Sequence, residues 1–295
     1  MEVYAPQEFN SARLLGVFES GTSEWHEARA DGIGGSEIGT IMGLNQYESA
    51  YSLMAKKLDL IPTHPIDNWA VRFGQKFEQP ILELLKEEHP DWEIFKTGTY
   101  CHADRPFMHA NPDALAKDEN GDWVIVEVKT SKNYWYEIPP AYIAQVRYYM
   151  AVMGIKRAVI VGVVNMSWVE HWVEWDDFEE QILIQSAMQF YQLMMDGELP
   201  QWDGAESTYQ AVREMHPDIT DEEVEIDGLH LLLEAQEKFD KAQAEFNLAK
   251  SAVMSEMGTA KHAYIEHEGQ KYRVASRQAR GQGLPYLVIN KKGTK

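Results

Sequence analysis

Apolar and polar positions along this chain follow two periods. From Trp69 to Glu88, apolar residues recur at three- and four-residue spacing (Val71, Phe73, Phe77, Ile81, Leu82, Leu84, Leu85). That spacing predicts a helix, with Pro80 as a candidate kink. Ile138 to Met153, entered through Pro139-Pro140, and Phe178 to Met195 read as two further helices. A shorter helix is expected from Thr22-Ser23-Glu24-Trp25, where hydroxyl side chains can cap and Glu24 sits in the first turn. Short strand signals lie near Glu93 to Cys101, Trp123 to Val128, Ala158 to Val164 and Val169 to Trp175, the last two facing each other across Asn165-Met166-Ser167. Glu119-Asn120-Gly121 marks a turn that would fold residues 113–130 into a hairpin. Helix, hairpin, helix, two strands, helix is an α/β order with a mixed central sheet flanked by helices.

Beyond Leu199 the pattern changes. Residues up to Asp227 are polar, with Asp203-Gly204, Pro217 and an acidic run over 218–227. Leu229 to Met257 then reads as one long charged helix. Its Leu231, Leu232, Ala235, Phe239, Ala242, Phe246, Ala249, Val253 and Met257 are spaced by threes and fours. Such a stripe can pair with another helix or pack back on the body, the second being the expected arrangement. Ala263 to Glu266 and Lys271 to Ala275 alternate and are joined by Glu268-Gly269, which predicts a β-hairpin. The expected divisions are a core over residues 1–200, an acidic connection over 201–227, and a C-terminal helix with a basic hairpin over 228–295.

Composition narrows the class. With 295 residues and 44% hydrophobic content the chain can bury a large core. No stretch approaches the roughly 20 apolar residues that a membrane span needs. Glu2, Pro6 and Glu8 do not fit the layout of a signal peptide, so the expected location is the cytoplasm. Cys101 is the single cysteine, which excludes an internal disulfide and Cys-ligated zinc or iron–sulfur sites; it is expected as a semi-buried strand residue. The net charge is −20, yet from Thr259 to Lys295 eight Lys and Arg stand against two Glu, a net of +6 set against −26 before it. An acidic body repels DNA except where its field is locally reversed, so nucleic acid would be held in a restricted channel. The basic tail is a candidate contact for DNA or an acidic partner.

The candidate chemistry lies on the central strands. Period-2 alternation puts Glu127 and Lys129 on one face of an otherwise apolar strand, and the hairpin can bring Asp113 beside Glu127. Two carboxylates, an ammonium and the Val128 carbonyl suit Mg2+, which takes hard oxygen ligands and keeps several waters. The reaction class is phosphodiester hydrolysis with a metal-activated water. Glu78, beside the apolar stripe of its helix, could add a carboxylate. Separately, Gly32-Ile33-Gly34-Gly35 runs into Ser36, read as a helix N-cap, and Arg29 lies seven residues upstream. A cation beside free backbone N–H groups is a phosphate site. Gln145 and Tyr149 form an i, i+4 pair on one helix face.

Trp25-His26 with Arg29, the Gly32–Ser36 turn, Phe73-Gly74 with Glu78, Asn111-Pro112-Asp113, Glu127-Val128-Lys129, and Gln145 with Tyr149 occur in an order that resembles the YqaJ-type viral recombinases. These are phage alkaline exonucleases similar to the lambda exonuclease, within the PD-(D/E)XK nuclease superfamily. The resemblance covers roughly residues 20 to 200. It implies a restriction-endonuclease-like core and Mg2+, replaceable by Mn2+, held by Asp113, Glu127 and the Val128 carbonyl. Glu78 would hold a second metal or its water, and Lys129 would position the attacking water. Gln145 would brace the site with support from Tyr149, while Arg29 and Ser36 would bind a 5′-terminal phosphate. It implies degradation of one strand of duplex DNA ends from 5′ to 3′, leaving 3′ tails for a single-strand annealing partner. The implied assembly is a trimer, acting in the host cytoplasm if phage-encoded. Other readings of the same residues are a PD-(D/E)XK endonuclease, a helicase-associated nuclease, and a DNA-end binding protein without activity.

Overall fold

The computed structural model describes residues 4–18, 22–64 and 68–294. The side chains of Trp25, His26, Lys291, Lys292 and Thr294, and all of Lys295, lie outside the described part. The chain forms two compact units, divided after Ile219. The first opens with β1 (Glu8–Phe9), β2 (Ala12–Gly16), α1 (Ser23–Ala30), β3 (Ile33–Gly34), α2 (Gly35–Ile41), α3 (Ala50–Lys57) and α4 (Trp69–Glu88). It continues with β4 (Glu93–Phe95), β5 (Thr99–His102), β6 (Met108–Ala110), β7 (Ala114–Lys117) and β8 (Trp123–Ser131). Then come α5 (Pro140–Met153), β9 (Arg157–Val164), β10 (Ser167–Glu174), α6 (Asp177–Asp196) and α7 (Glu206–Met215).

The central sheet has the order β10-β9-β8-β7-β4. β8 and β9 are parallel and the other neighbours antiparallel, so the sheet is mixed. A parallel pair needs a crossover, which α5 supplies. Alternation sorts the strand residues to two faces. Leu115, Ile125, Ala158 and Ile160 join the core that contains Val146 and Met150 of α5 and Leu183 and Ala187 of α6. Ala114, Ala116, Val124, Val126, Val159 and Val161 pack on Ile81, Leu82 and Leu85 of α4. Apolar periodicity of the kind seen in the sequence therefore builds this sandwich, and α4 runs unbroken through Pro80. The 113–130 hairpin closes on Asp118, whose Oδ1 accepts the Asn120 and Asp122 N–H groups at 2.9 Å, with Gly121 at φ +83.

Of a second sheet, ordered β1-β2-β5-β6-β3, the sequence signals pointed only to β5, through the strand expected near Glu93 to Cys101. Its strands are two to five residues long, too short for a periodic signal. Cys101 lies in β5 and is fully buried rather than semi-buried. The acidic connection expected over 201–227 is corrected over its first half. α7 packs Ala211 onto Tyr51, Ala55 and Ile61, and Thr208 Oγ1 lies 2.7 Å from Ser49 Oγ, the N-cap of α3. A polar surface with few apolar positions hid this helix from the sequence reading.

The second unit, Thr220–Lys295, holds α8 (Leu229–Met257), β11 (His262–His267), β12 (Gln270–Gln278) and β13 (Tyr286–Thr294). The turn at Glu268 and Gly269, both at positive φ, makes the β11–β12 hairpin, and β13 adds a third strand that the sequence reading did not include. Among the described residues no helix is long and apolar enough to cross a membrane.

Candidate active site

Glu127 and Lys129 share the face of β8 that carries Ile125 toward α5. Asp113 comes just before β7, whose Ala114 is paired with Val126, so the hairpin register sets its carboxylate against β8. Asp113 Oδ2 accepts the Val128 N–H at 2.6 Å. Lys129 Nζ donates to Glu127 Oε1 at 2.6 Å and to Gln145 Oε1 at 3.2 Å, and stands 4.9 Å from the centre of the Tyr142 ring. Gln145 spends both amide protons, on Glu127 Oε1 at 2.7 Å and on the Tyr149 hydroxyl oxygen at 2.9 Å. Tyr149 in turn donates to the Asn111 carbonyl at 3.2 Å. Gly74 and Glu78 of α4 complete a pocket of about 110 Å³ with Asp113, Glu127, Val128, Lys129 and Thr130.

The electrostatics of this pocket are lopsided. Burial, then the charges of Glu127 and Glu78, hold the Asp113 carboxyl well above the usual carboxylate range, against the pull of Lys129 and the Val128 N–H. Burial and then Glu127 also raise Glu78. Burial works to lower Lys129, but Glu127 and Asp113 outweigh it and the ammonium is held above its ordinary value. Three carboxylates face one cation. Glu127 Oε2 is buried with no hydrogen-bond partner. An unpartnered buried carboxylate oxygen is costly, and a cation would relieve it. Among the described residues no three acidic, His or Cys side chains are gathered closely enough to chelate an ion as placed. Glu127 Oε1 is taken up by Lys129 and Gln145 instead. The donor set, two or three carboxylates with the Val128 backbone, nonetheless has the hard-oxygen chemistry of Mg2+ or Mn2+.

The second candidate cluster surrounds the turn before α2. Ser36 is not the N-cap expected from the sequence. Gly34 caps the helix, and Glu37 Oε2 accepts the Gly34 N–H at 2.7 Å. Ser36 is the second residue of the helix, because β3 pairs with β6 and sets the cap two residues earlier. Arg29 Nη2 donates to Ser36 Oγ at 3.0 Å, so the two residues do meet. Lys57 donates to the Gly32 carbonyl at 2.7 Å and pairs with Glu37 at 3.0 Å. His109 Nδ1 is buried without a partner. Burial, with Arg29 and Lys57 nearby, pushes that imidazole below its ordinary pKa. A Cβ at Gly32 would strike the buried His109 ring, and one at Gly34 would push the Arg29 guanidinium from its present place.

Tyr149 joins the two clusters. Its ring fills the space where a Cβ on Gly35 would lie, and its hydroxyl ties Gln145 to Asn111. Lys57, Glu37, His109 and Tyr142 were not found by sequence reasoning. Lys57 lies on α3, away from the motifs along the chain, whereas Glu37, His109 and Tyr142 lie within three residues of Ser36, Asn111 and Gln145, but no local spacing marks their roles.

Residues 24–156 match the model of the family described as YqaJ-like viral recombinase domain. The uncharacterized protein YqaJ of Bacillus subtilis (strain 168) is 25% identical over 267 residues, covering 84% of this chain and 82% of that protein. An alkaline exonuclease from Laribacter hongkongensis has a similar fold, with TM-score 0.50 and 21% identity. A second structure of that enzyme, in complex with dAMP, gives TM-score 0.51 and 21% identity. Each covers 60% of this chain and 94% of the other.

Proposed function

We propose that this chain, which carries a YqaJ-like viral recombinase domain over residues 24–156, is a divalent-metal-dependent nuclease of DNA recombination that resects one strand of linear duplex DNA from 5′ to 3′. The observation that carries the proposal is the pocket of Asp113, Glu127 and Lys129, with raised carboxyl pKa values and an orphaned Glu127 oxygen. Asp113, Glu127 and the Val128 carbonyl would hold Mg2+, with Glu78 beside them. When bound, the ion lowers the pKa of a water and offsets charge on the scissile phosphate. Lys129, whose ammonium Glu127 and Asp113 favour, would orient the nucleophile and stabilise negative charge developing on the phosphate. Gln145 fixes Glu127 and Lys129 relative to each other, and Tyr149 fixes Gln145.

Water attacks phosphorus and the bond to the 3′ oxygen of the terminal nucleotide breaks. A 5′-mononucleotide leaves and a new 5′ phosphate is exposed on the strand. Each turnover thus regenerates the group that Arg29 and Ser36 are suited to bind, which supports end-dependent, stepwise action. The product, a 3′ single-stranded tail, suits a single-strand annealing partner, and a ring-shaped trimer would keep an acidic body on DNA through a restricted channel.

The test is digestion of end-labelled linear duplex and of covalently closed circles with Mg2+. Release of 5′-labelled mononucleotides from linear DNA alone is expected. Rapid nicking of closed circles would replace this reading with an endonuclease, and absence of Mg2+-dependent cleavage of either substrate would leave a DNA-end binding protein.

A further inference from the structure

The 29-residue helix α8 carries a seven-residue repeat. Leu232, Phe239, Phe246 and Val253 recur every seven positions, and Ala235, Ala242 and Ala249 follow the first three of these by three. Leu232 is 64% exposed, Phe239 63% and Phe246 48%; the only buried residue of the helix is Met257. A straight helix drifts by about 20° per heptad against such a repeat, so a stripe sustained at 3.5-residue spacing is fully covered only by a second helix that supercoils with it.

The repeat alternates large and small, and this selects the partner and its direction. In a parallel pair of identical helices, Phe would face Phe in one layer and Ala would face Ala in the next. Those layers demand different helix separations. In an antiparallel pair, Phe239 lies against Ala242 of the second copy, Phe246 against Ala235, and Leu232 against Ala249, so every layer joins one large and one small side chain at constant separation. The same register puts Lys238 opposite Glu245 of the second copy, and by the two-fold axis Glu245 opposite Lys238.

We infer that α8 is a self-association element that pairs antiparallel with α8 of a second copy of this chain. Such a contact joins copies two by two. A trimer formed through the first unit would be doubled by it, and a monomer would become a dimer.

Sedimentation velocity and light scattering of the full chain over a range of concentrations test this. The wild-type mass should be twice that of the Phe239→Glu, Phe246→Glu variant, with helix content by circular dichroism unchanged. Lys238→Glu, at an exposed position, should weaken association at least tenfold, and Lys238→Glu combined with Glu245→Lys should restore it. Restoration is specific to the antiparallel register, because a parallel pair would match Glu245 with Lys250 and lose that match in the double variant. Equal masses for the wild type and the Phe variant at every concentration would overturn the inference, and would fit a stripe covered by the chain's own first unit. Failure of the double charge variant to recover would overturn the antiparallel pairing.

Discussion

The pocket on β7 and β8 and the turn ahead of α2 are both small charged clusters of opposite composition, the pocket acidic and largely buried, the turn basic and partly exposed. The pocket sets Glu78, Asp113 and Glu127 against Lys129, and leaves one Glu127 oxygen without a partner. The turn sets Arg29 and Lys57 against Glu37, with His109 held toward its neutral form. A buried carboxylate oxygen without a partner marks where a cation belongs, and a basic cluster beside backbone N–H groups at a helix start suits an anion. By this rule the pocket suits a metal cation and the turn suits a phosphate. Tyr149 holds them a fixed distance apart.

The largest effect that can break this comparison is on catalysis. Asp113→Asn or Lys129→Ala should lower Mg2+-dependent digestion of linear duplex by about a thousandfold or more, the scale on which preorganised charge acts. A loss below tenfold would place the chemistry elsewhere. Next, removal of the 5′ phosphate from the substrate should slow the wild type by about ten- to a hundredfold, the range of charged hydrogen bonds at roughly 1.5–3 kcal/mol. Arg29→Ala should digest phosphorylated and hydroxyl ends at the same rate; a retained preference would remove the turn from the reading.

Gly35→Ala asks whether the clusters are coupled. The added Cβ displaces the Tyr149 ring, so both the rate and the preference for a 5′ phosphate should fall together, by about tenfold, with about 1–3 kcal/mol of lost stability from overpacking. A change in only one of the two activities would show that they are independent.

The smallest effects are those of pH. Asp113 has a folded pKa raised above its unfolded value, so in the metal-free protein its contribution to stability declines as pH rises from the ordinary carboxylate range through the raised value. Asp113→Asn removes that penalty, and the metal-free variant should melt higher at neutral pH, by about 2–4 °C for each kcal/mol relieved. Mg2+ should stabilise the wild type and not the variant. Because Mg2+ binding must displace the proton, half-saturation should require more Mg2+ at pH 6 than at pH 8. An Mg2+ requirement independent of pH would mean that Asp113 is ionised before the metal arrives.

Much of the central sandwich was legible because its signals are local. The α4 stripe, the Asp118–Asp122 turn, and the alternation that puts Glu127 and Lys129 on one face each depend on neighbours within a few residues. Apart from β5, the second sheet was not legible, nor was α7, because strands of two to five residues and a polar helix take their place from partners far along the chain. Ser36 shows the limit most clearly. Its residue type fits an N-cap, yet pairing of β3 with β6 makes Gly34 the cap and turns the Ser36 hydroxyl into an acceptor for Arg29.

The sequence by itself determined which residue types are available and on which face of a strand or helix each lies, since those follow from periods of 2 and 3.6. It also set the seven-residue repeat of α8 and the split between an acidic body and a basic tail. Only the tertiary structure decided that Asp113 bonds the Val128 N–H, that Gln145 and Tyr149 link pocket to turn, and that Lys57 and His109 gather with Arg29. The physical reason is that charge acts through space. How strongly a carboxylate is shifted, and whether an oxygen is left without a partner, depends on burial and on side chains brought close by long-range pairing.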